Sequence, residues 1–142
     1  MDNKIFSLLI KLTKKAMKKK EAPIAAVIVL NKKIIAKAYN KRNSSNITMD
    51  HAEIKAIQAA NKKIKNWRLN KCTLYVTLEP CEMCKSVIKE SRIEKVIYLL
   101  SRDIRKKQYN KTVFEPAIIN SENYQILENY KKQLSEFWEN KR

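Results

Sequence analysis

The chain has no glycine, one histidine, three cysteines and three prolines in 142 residues. Without glycine, turns that need a left-handed backbone must use another residue, and Asn, Lys or Ser are the natural candidates. An odd number of cysteines and the lack of an apolar signal segment argue against a small secreted scaffold held by disulfides. No run of about 18 consecutive apolar residues is present, so the sequence carries no signal for a membrane-spanning helix. Acidic residues are also scarce, with 14 Asp and Glu against 31 Lys and Arg, for a formal net charge of +17. The expectation is a soluble, cytoplasmic protein with no membrane partner. Its length and 44% hydrophobic content suit one domain, residues 1–142, with its own core.

What is present begins with the charge. Basic clusters occur at "KKAMKKK" (14–20), "KKIK" (62–65) and "RDIRKKQYNK" (102–111). Such an excess attracts polyanions, nucleic acid above all. Abundant Lys, Asn and Ile also follow from AT-rich codon usage, so charge alone leaves each cluster open as a binding surface or a solvated face.

Ile5, Leu8, Leu9, Leu12 and Ala16 recur at three- and four-residue steps, which predicts a helix over about 2–20. Pro23 ends it. "IAAVIVL" (24–30) and "KIIAKAY" (33–39) read as two strands joined by a turn at 31 and 32. A polar loop over 40–50 precedes a helix over 51–64, with Asp50 available as its N-cap. "CTLYVTL" (72–78), a helix over 81–91 and "KVIYLL" (95–100) have the spacing of a parallel strand–helix–strand crossover. "YQIL" (124–127) reads as a short last strand. A helix closes the chain, with Leu134, Phe137 and Trp138 on its apolar face.

The chemistry concentrates in two short stretches. His51, Cys81 and Cys84 are nitrogen and sulfur donors at the predicted starts of two helices, and three such ligands leave a tetrahedral zinc ion one open position. That separates a catalytic site from a closed structural one. Cys72, at a strand start, reads as a buried small hydrophobe rather than a fourth ligand. Glu53 lies two residues after His51, close enough to act as a proton shuttle beside the metal without ligating it. The plainer alternative is a carboxylate that favours the positive end of its helix. Likewise, Cys-x-x-Cys by itself could be a redox pair. Together, His-x-Glu and Pro-Cys-x-x-Cys form the pattern of zinc-dependent nucleobase deaminases.

The sequence resembles the bacterial-type tRNA-specific adenosine deaminases through "EAPIAAVIV" (21–29), "AYN" (38–40), "HAEIKAI" (51–57), "TLYVTLEPCEMC" (73–84) and "SRIEKVIY" (91–98). "FWENKR" (137–142) is similar to the aromatic pair and basic end of that branch. The resemblance implies a three-layer α/β/α fold of the cytidine deaminase-like type, with a central five-stranded mixed sheet, in a homodimer. It implies Zn2+ on His51, Cys81 and Cys84, with Glu53 as the catalytic proton carrier. Asn40 and the Ala52 backbone amide would hydrogen-bond the target base, Ile24 and Leu78 would wall its pocket, and Asp103 would lie near the flipped nucleotide. The partner would be a tRNA anticodon stem-loop, contacted by Arg105, Lys106, Lys107, Lys141 and Arg142. The reaction would convert the wobble adenosine to inosine with release of ammonia.

Departures from that pattern accompany it. Ala25 stands where the family usually has glycine beside the pocket, and residues 108–130 are shorter and less similar than usual. Two other readings fit the same residues. One is a deaminase of a free nucleobase or small nucleotide, of guanine or cytosine type. The other is a non-catalytic, zinc-stapled RNA-binding subunit, in which Glu53 would have no task.

Overall fold

The computed structural model describes residues 1–102 and 113–140. The chain divides into two compact units, residues 1–106 and 107–142. In the first unit the elements run α1 (Asn3–Lys18), β1 (Ala25–Leu30), β2 (Lys33–Tyr39), α2 (Arg42–Ser45), α3 (Ala52–Ile64), β3 (Thr73–Leu78), α4 (Glu82–Glu90) and β4 (Lys95–Leu100). The second holds a short 3-10 turn (Ser121–Asn123) and α5 (Tyr124–Asn140). No helix among the described residues is long and apolar enough to cross a membrane.

The four strands form one mixed sheet in the order β2-β1-β3-β4. β1 runs antiparallel to both β2 and β3, and β3 runs parallel to β4, with Thr73 opposite Lys95 and Leu78 opposite Leu100. Alternation along β1 sends its residues to two separate cores. Ala25 and Val27 pack with Ile5, Leu9 and Leu12 of α1 on one face. Ala26 and Ile28 pack on the other with Ile54 and Ile57 of α3 and Cys84 and Ile88 of α4. Helices therefore cover both faces of the sheet, and α3 and α4 share the face on which their starts converge.

Two strand expectations fail among the described residues: the sheet has four strands, not five, and residues 124–127 open α5 instead of forming a strand. The short run "YQIL" looks strand-like in isolation. Its apolar residues nevertheless continue as Ile126, Leu127, Tyr130, Leu134 and Phe137, a three- and four-residue rhythm that belongs to a helix. Gln125 also donates to Asn129 one turn on, at 3.0 Å. The polar loop over 40–50 contains the short α2, which periodicity could not show.

In the absence of glycine, the left-handed positions among the described residues fall on Lys20, Asn31, Lys32, Asn46, Lys65, Lys71 and Arg92, with φ between 50 and 66°. Lys and Asn take the role as anticipated, Arg joins them, and Ser does not. Asn31 and Lys32 make the two-residue β1–β2 turn, where positive φ at both positions matches the twist of a hairpin.

Candidate active site

His51 is the N-cap residue of α3 and Cys81 that of α4, and neither uses its side chain to cap its helix. Asp50, expected as the α3 cap, is instead the buried residue before it. With the caps unmade, the imidazole and thiol turn toward each other. His51 Nδ1 lies 3.6 Å from Cys81 Sγ and 3.5 Å from Cys84 Sγ, and one ligand atom from each residue lies within 4.8 Å of the others. Cys84 comes from the first turn of α4, so Cys-x-x-Cys places both sulfurs on one side of a helix start. Cys72 does not join them; it is fully buried in the apolar cluster, and burial raises its thiol pKa.

Glu53 sits in the first turn of α3, 3% exposed, with Oε1 buried and without a hydrogen-bond partner. Burial raises its pKa; its own backbone N–H, the Cys84 thiol and the His51 charge only partly oppose that. Hydrogen bonding between the two thiols drives Cys81 well below, and Cys84 well above, the ordinary thiol range. Two cysteine sulfurs and an imidazole make a donor set suited to a zinc-like cation, and the unpaired Glu53 oxygen suits a proton-carrying role next to it.

Asn40 is buried directly after β2; its backbone N–H donates to the Ile24 carbonyl at 3.0 Å, and its side-chain Oδ1 accepts from the Arg42 N–H at 3.1 Å. Ile24 precedes β1, Ala52 is the buried first residue of α3, and Leu78 ends β3, half-buried. The structure thus brings the three donors and Glu53 together and ties Asn40 to Ile24. Asp103, Arg105, Lys106, Lys107, Lys141 and Arg142 lie outside the described residues. Ala25 belongs to the α1 face of the sheet, so its methyl is packed with Leu9 and Val27, away from the donor face.

Three supporting residues escaped the sequence reading. The Glu21 carboxylate accepts from the backbone N–H groups of Asn43 and Ser44, which fixes α2 and the segment carrying Asn40. Arg42 Nη1 lies 3.3 Å from His51 Nε2, at the outer side of the imidazole. Glu79 accepts from Lys85 Nζ at 3.2 Å and from the Arg102 N–H at 3.3 Å, while its own N–H donates to Leu100 O at 2.8 Å. That network anchors the stretch leading into Cys81. Glu79 stood inside "LEPC" and Glu21 at the head of "EAPIAAVIV", but neither motif shows the partner; Arg42 had no sequence signal.

An α/β sheet with one imidazole, two cysteine sulfurs and a buried carboxylate converging at two helix starts is the arrangement of the nucleobase deaminase class. The MafB19-like deaminase family matches residues 1–135. A tRNA-specific adenosine deaminase of Buchnera aphidicola (subsp. Schizaphis graminum) is 39% identical over 126 residues, 86% of this chain and 83% of that relative. One from Bacillus subtilis is 49% identical over 89 residues, 63% of this chain. That match covers 55% of the Bacillus protein, so the chain aligns with little more than half of its length. A solved structure from work on A-to-I editing by tRNA:A34 deaminases at the wobble position of transfer RNA matches with 36% identity and a TM-score of 0.67. It covers 68% of this chain and 75% of that one. The guanine deaminase of Bacillus subtilis matches at 26% identity with a TM-score of 0.74, over 93% of this chain and 95% of that one. The chain belongs to the MafB19-like deaminase family, among the relatives named tRNA-specific adenosine deaminase.

Proposed function

We propose that this protein is a zinc-dependent enzyme that hydrolyses adenosine to inosine at the wobble position of a tRNA anticodon stem-loop. The observation that carries the reading is the buried Glu53 carboxyl, whose Oε1 has no hydrogen-bond partner, beside the His51, Cys81 and Cys84 donors. His51 Nδ1 and the two sulfurs would hold the ion. When bound, zinc supplies Lewis-acid activation of the attacking water. Glu53 would take one proton from the attacking water and pass it to the purine ring, then carry the second, from the hydroxyl added to the ring carbon, to the leaving amine, so that adenosine and water give inosine and ammonia. Burial raises the Glu53 pKa, which favours a carboxyl that holds a proton between transfers. Asn40 and the Ala52 N–H would orient the base, and Ile24 and Leu78 would exclude water from its faces. A single deaminase domain spanning the chain is supported by the family match over residues 1–135. Resemblance to tRNA deaminases supports a homodimer in the cytoplasm, with Asp103 near the flipped nucleotide and Arg105, Lys106, Lys107, Lys141 and Arg142 on RNA. A free-purine deaminase is the second reading, favoured by the near full-length likeness to a guanine deaminase. The net charge of +17 favours RNA over a free base.

The deciding experiment incubates purified, zinc-loaded protein with tRNA and, separately, with free guanine, cytosine and adenosine. A read as G at the wobble position, without ammonia from the free compounds, is the expected result. Ammonia from guanine with unaltered tRNA would replace this reading by the second.

A further inference from the structure

A cleft of about 300 Å³ lies along β2. Because β2 ends the sheet order, its outer edge has no neighbouring strand among the described residues. The cleft is walled by Lys15 of α1, Lys37 and Tyr39 of β2, Lys41 just beyond it, and Lys55 of α3. Four lysines, three from α1, β2 and α3 and one from just after β2, thus line one cleft. Among the described residues the acidic partner within 4.0 Å of this group is Asp50, which reaches Lys55 at that limiting distance. The Tyr39 ring sits under two cations, with Lys41 Nζ 5.2 Å and Lys19 Nζ 5.7 Å from its centroid. Their concentration here is unfavourable unless an anion occupies the cleft or solvent screens it.

The cleft also adjoins the candidate site through the backbone. Lys41 follows Asn40, the Lys41 N–H donates to the Asp50 carbonyl at 2.9 Å, and the Lys55 N–H donates to the His51 carbonyl at 3.0 Å. A strand whose base enters the pocket beside Asn40 and His51 must carry its flanking phosphates past neighbouring surface. Lysines around a half-buried tyrosine are the composition with which single-stranded nucleic acid is tracked.

We infer that the Lys15, Lys37, Lys41 and Lys55 cleft seats the phosphodiester backbone of the RNA flanking the base to be deaminated. The inference rests on the RNA reading above. It rests on residues other than those expected at 105–107 and 141–142, namely ones in α1, β2 and α3 and just after β2.

The test measures Kd for an anticodon stem-loop RNA against salt concentration, using the zinc-loaded full chain. It compares wild type, the triple variant Lys15→Gln/Lys37→Gln/Lys55→Gln, and the charge-matched control Lys62→Gln/Lys63→Gln/Lys71→Gln. Loss of three phosphate contacts should lower the slope of log Kd on log salt by about 2, at roughly 0.7 per contact on single-stranded RNA. The control should retain the wild-type slope, and metal content should be equal in all three. Inosine formation in the same RNA is scored separately for wild type. A wild type that edits RNA, with equal slopes in cleft variant and wild type, would overturn the cleft and leave the function standing; the lysines would then only blunt an open strand edge. Equal slope losses in the cleft variant and the control would likewise reduce the effect to net charge and overturn the cleft. A wild type that binds with a cleft-dependent slope but makes no inosine would support the cleft and remove the editing reading. A wild type that does not bind would remove both.

Discussion

Glu53 and Cys72 are both buried, and burial has opposite meanings for them. Cys72 lies among apolar neighbours, which raise its thiol pKa and leave it inert. Glu53 has a buried oxygen without a hydrogen-bond partner, a condition that costs about 1–3 kcal/mol in an ordinary core. A position that tolerates such a cost is suited to chemistry. Glu53→Gln keeps the volume and removes the transferable proton, so inosine formation should fall by about 100-fold or more with zinc content unchanged. A wild-type rate in that variant would remove Glu53 from the reaction. For the metal, Cys84→Ala should lose most bound zinc because two strong ligands remain, whereas Cys72→Ala should keep it. Zinc content by atomic absorption distinguishes them, and loss in Cys72→Ala would turn the site into a closed structural one. The three donors were legible in the sequence because Cys-x-x-Cys and His-x-Glu each fall at a helix start. The orphaned Glu53 oxygen was not legible, since burial of one atom depends on packing across α3 and α4.

Elements with a clear period were readable from the chain alone: α1 from its leucine and isoleucine face, and β1, β2 and β4 from their apolar runs. Elements held by distant groups were not. α2 is only four residues long and polar, and the carboxylate of Glu21, 22 residues before Asn43, accepts from the Asn43 and Ser44 N–H groups within it. Burial alone would raise the Glu21 pKa, but the N–H groups of Asn43 and Ser44 and the Ser44 hydroxyl outweigh it and lower the value. A lowered folded pKa means that the stabilisation is present above the unfolded carboxylate pKa, near 4.3, and is lost as pH falls through the folded value. Glu21→Gln, whose amide group would face the N–H donors, should therefore be less stable than wild type at pH 7. That gap should close below about pH 4. Urea midpoints at both pH values test this, and a gap independent of pH would show that Glu21 acts through packing. The β1–β2 turn gives a second prediction at this scale. Lys32 holds φ 65° without the freedom of glycine, so Lys32→Gly, making an Asn-Gly turn, should add about 0.5–1 kcal/mol. A lower urea midpoint would mean that the Lys32 side chain contributes more than its backbone strain costs.

For the whole molecule, a net charge of +17 on 142 residues sets folding against the RNA binding proposed above. Self-repulsion among so many lysines should destabilise the compact chain at low ionic strength, and salt relieves it by shortening the Debye length from roughly 30 Å at 0.01 M to about 8 Å at 0.15 M. Salt weakens phosphate contacts over the same range. The free protein should therefore melt a few degrees higher, on the order of 2–5 °C, as salt rises from about 0.02 to 0.3 M. With anticodon stem-loop RNA at about 100 times its low-salt Kd, binding should add about 2.7 kcal/mol at low salt and progressively less as salt rises. Thermal melts with and without RNA should consequently converge, one curve rising while the stabilisation by RNA fades. If the free protein instead melts lower with added salt, its lysines are engaged in favourable pairs rather than held in mutual repulsion. The charge would then be part of what stabilises the fold and would no longer argue for an RNA partner.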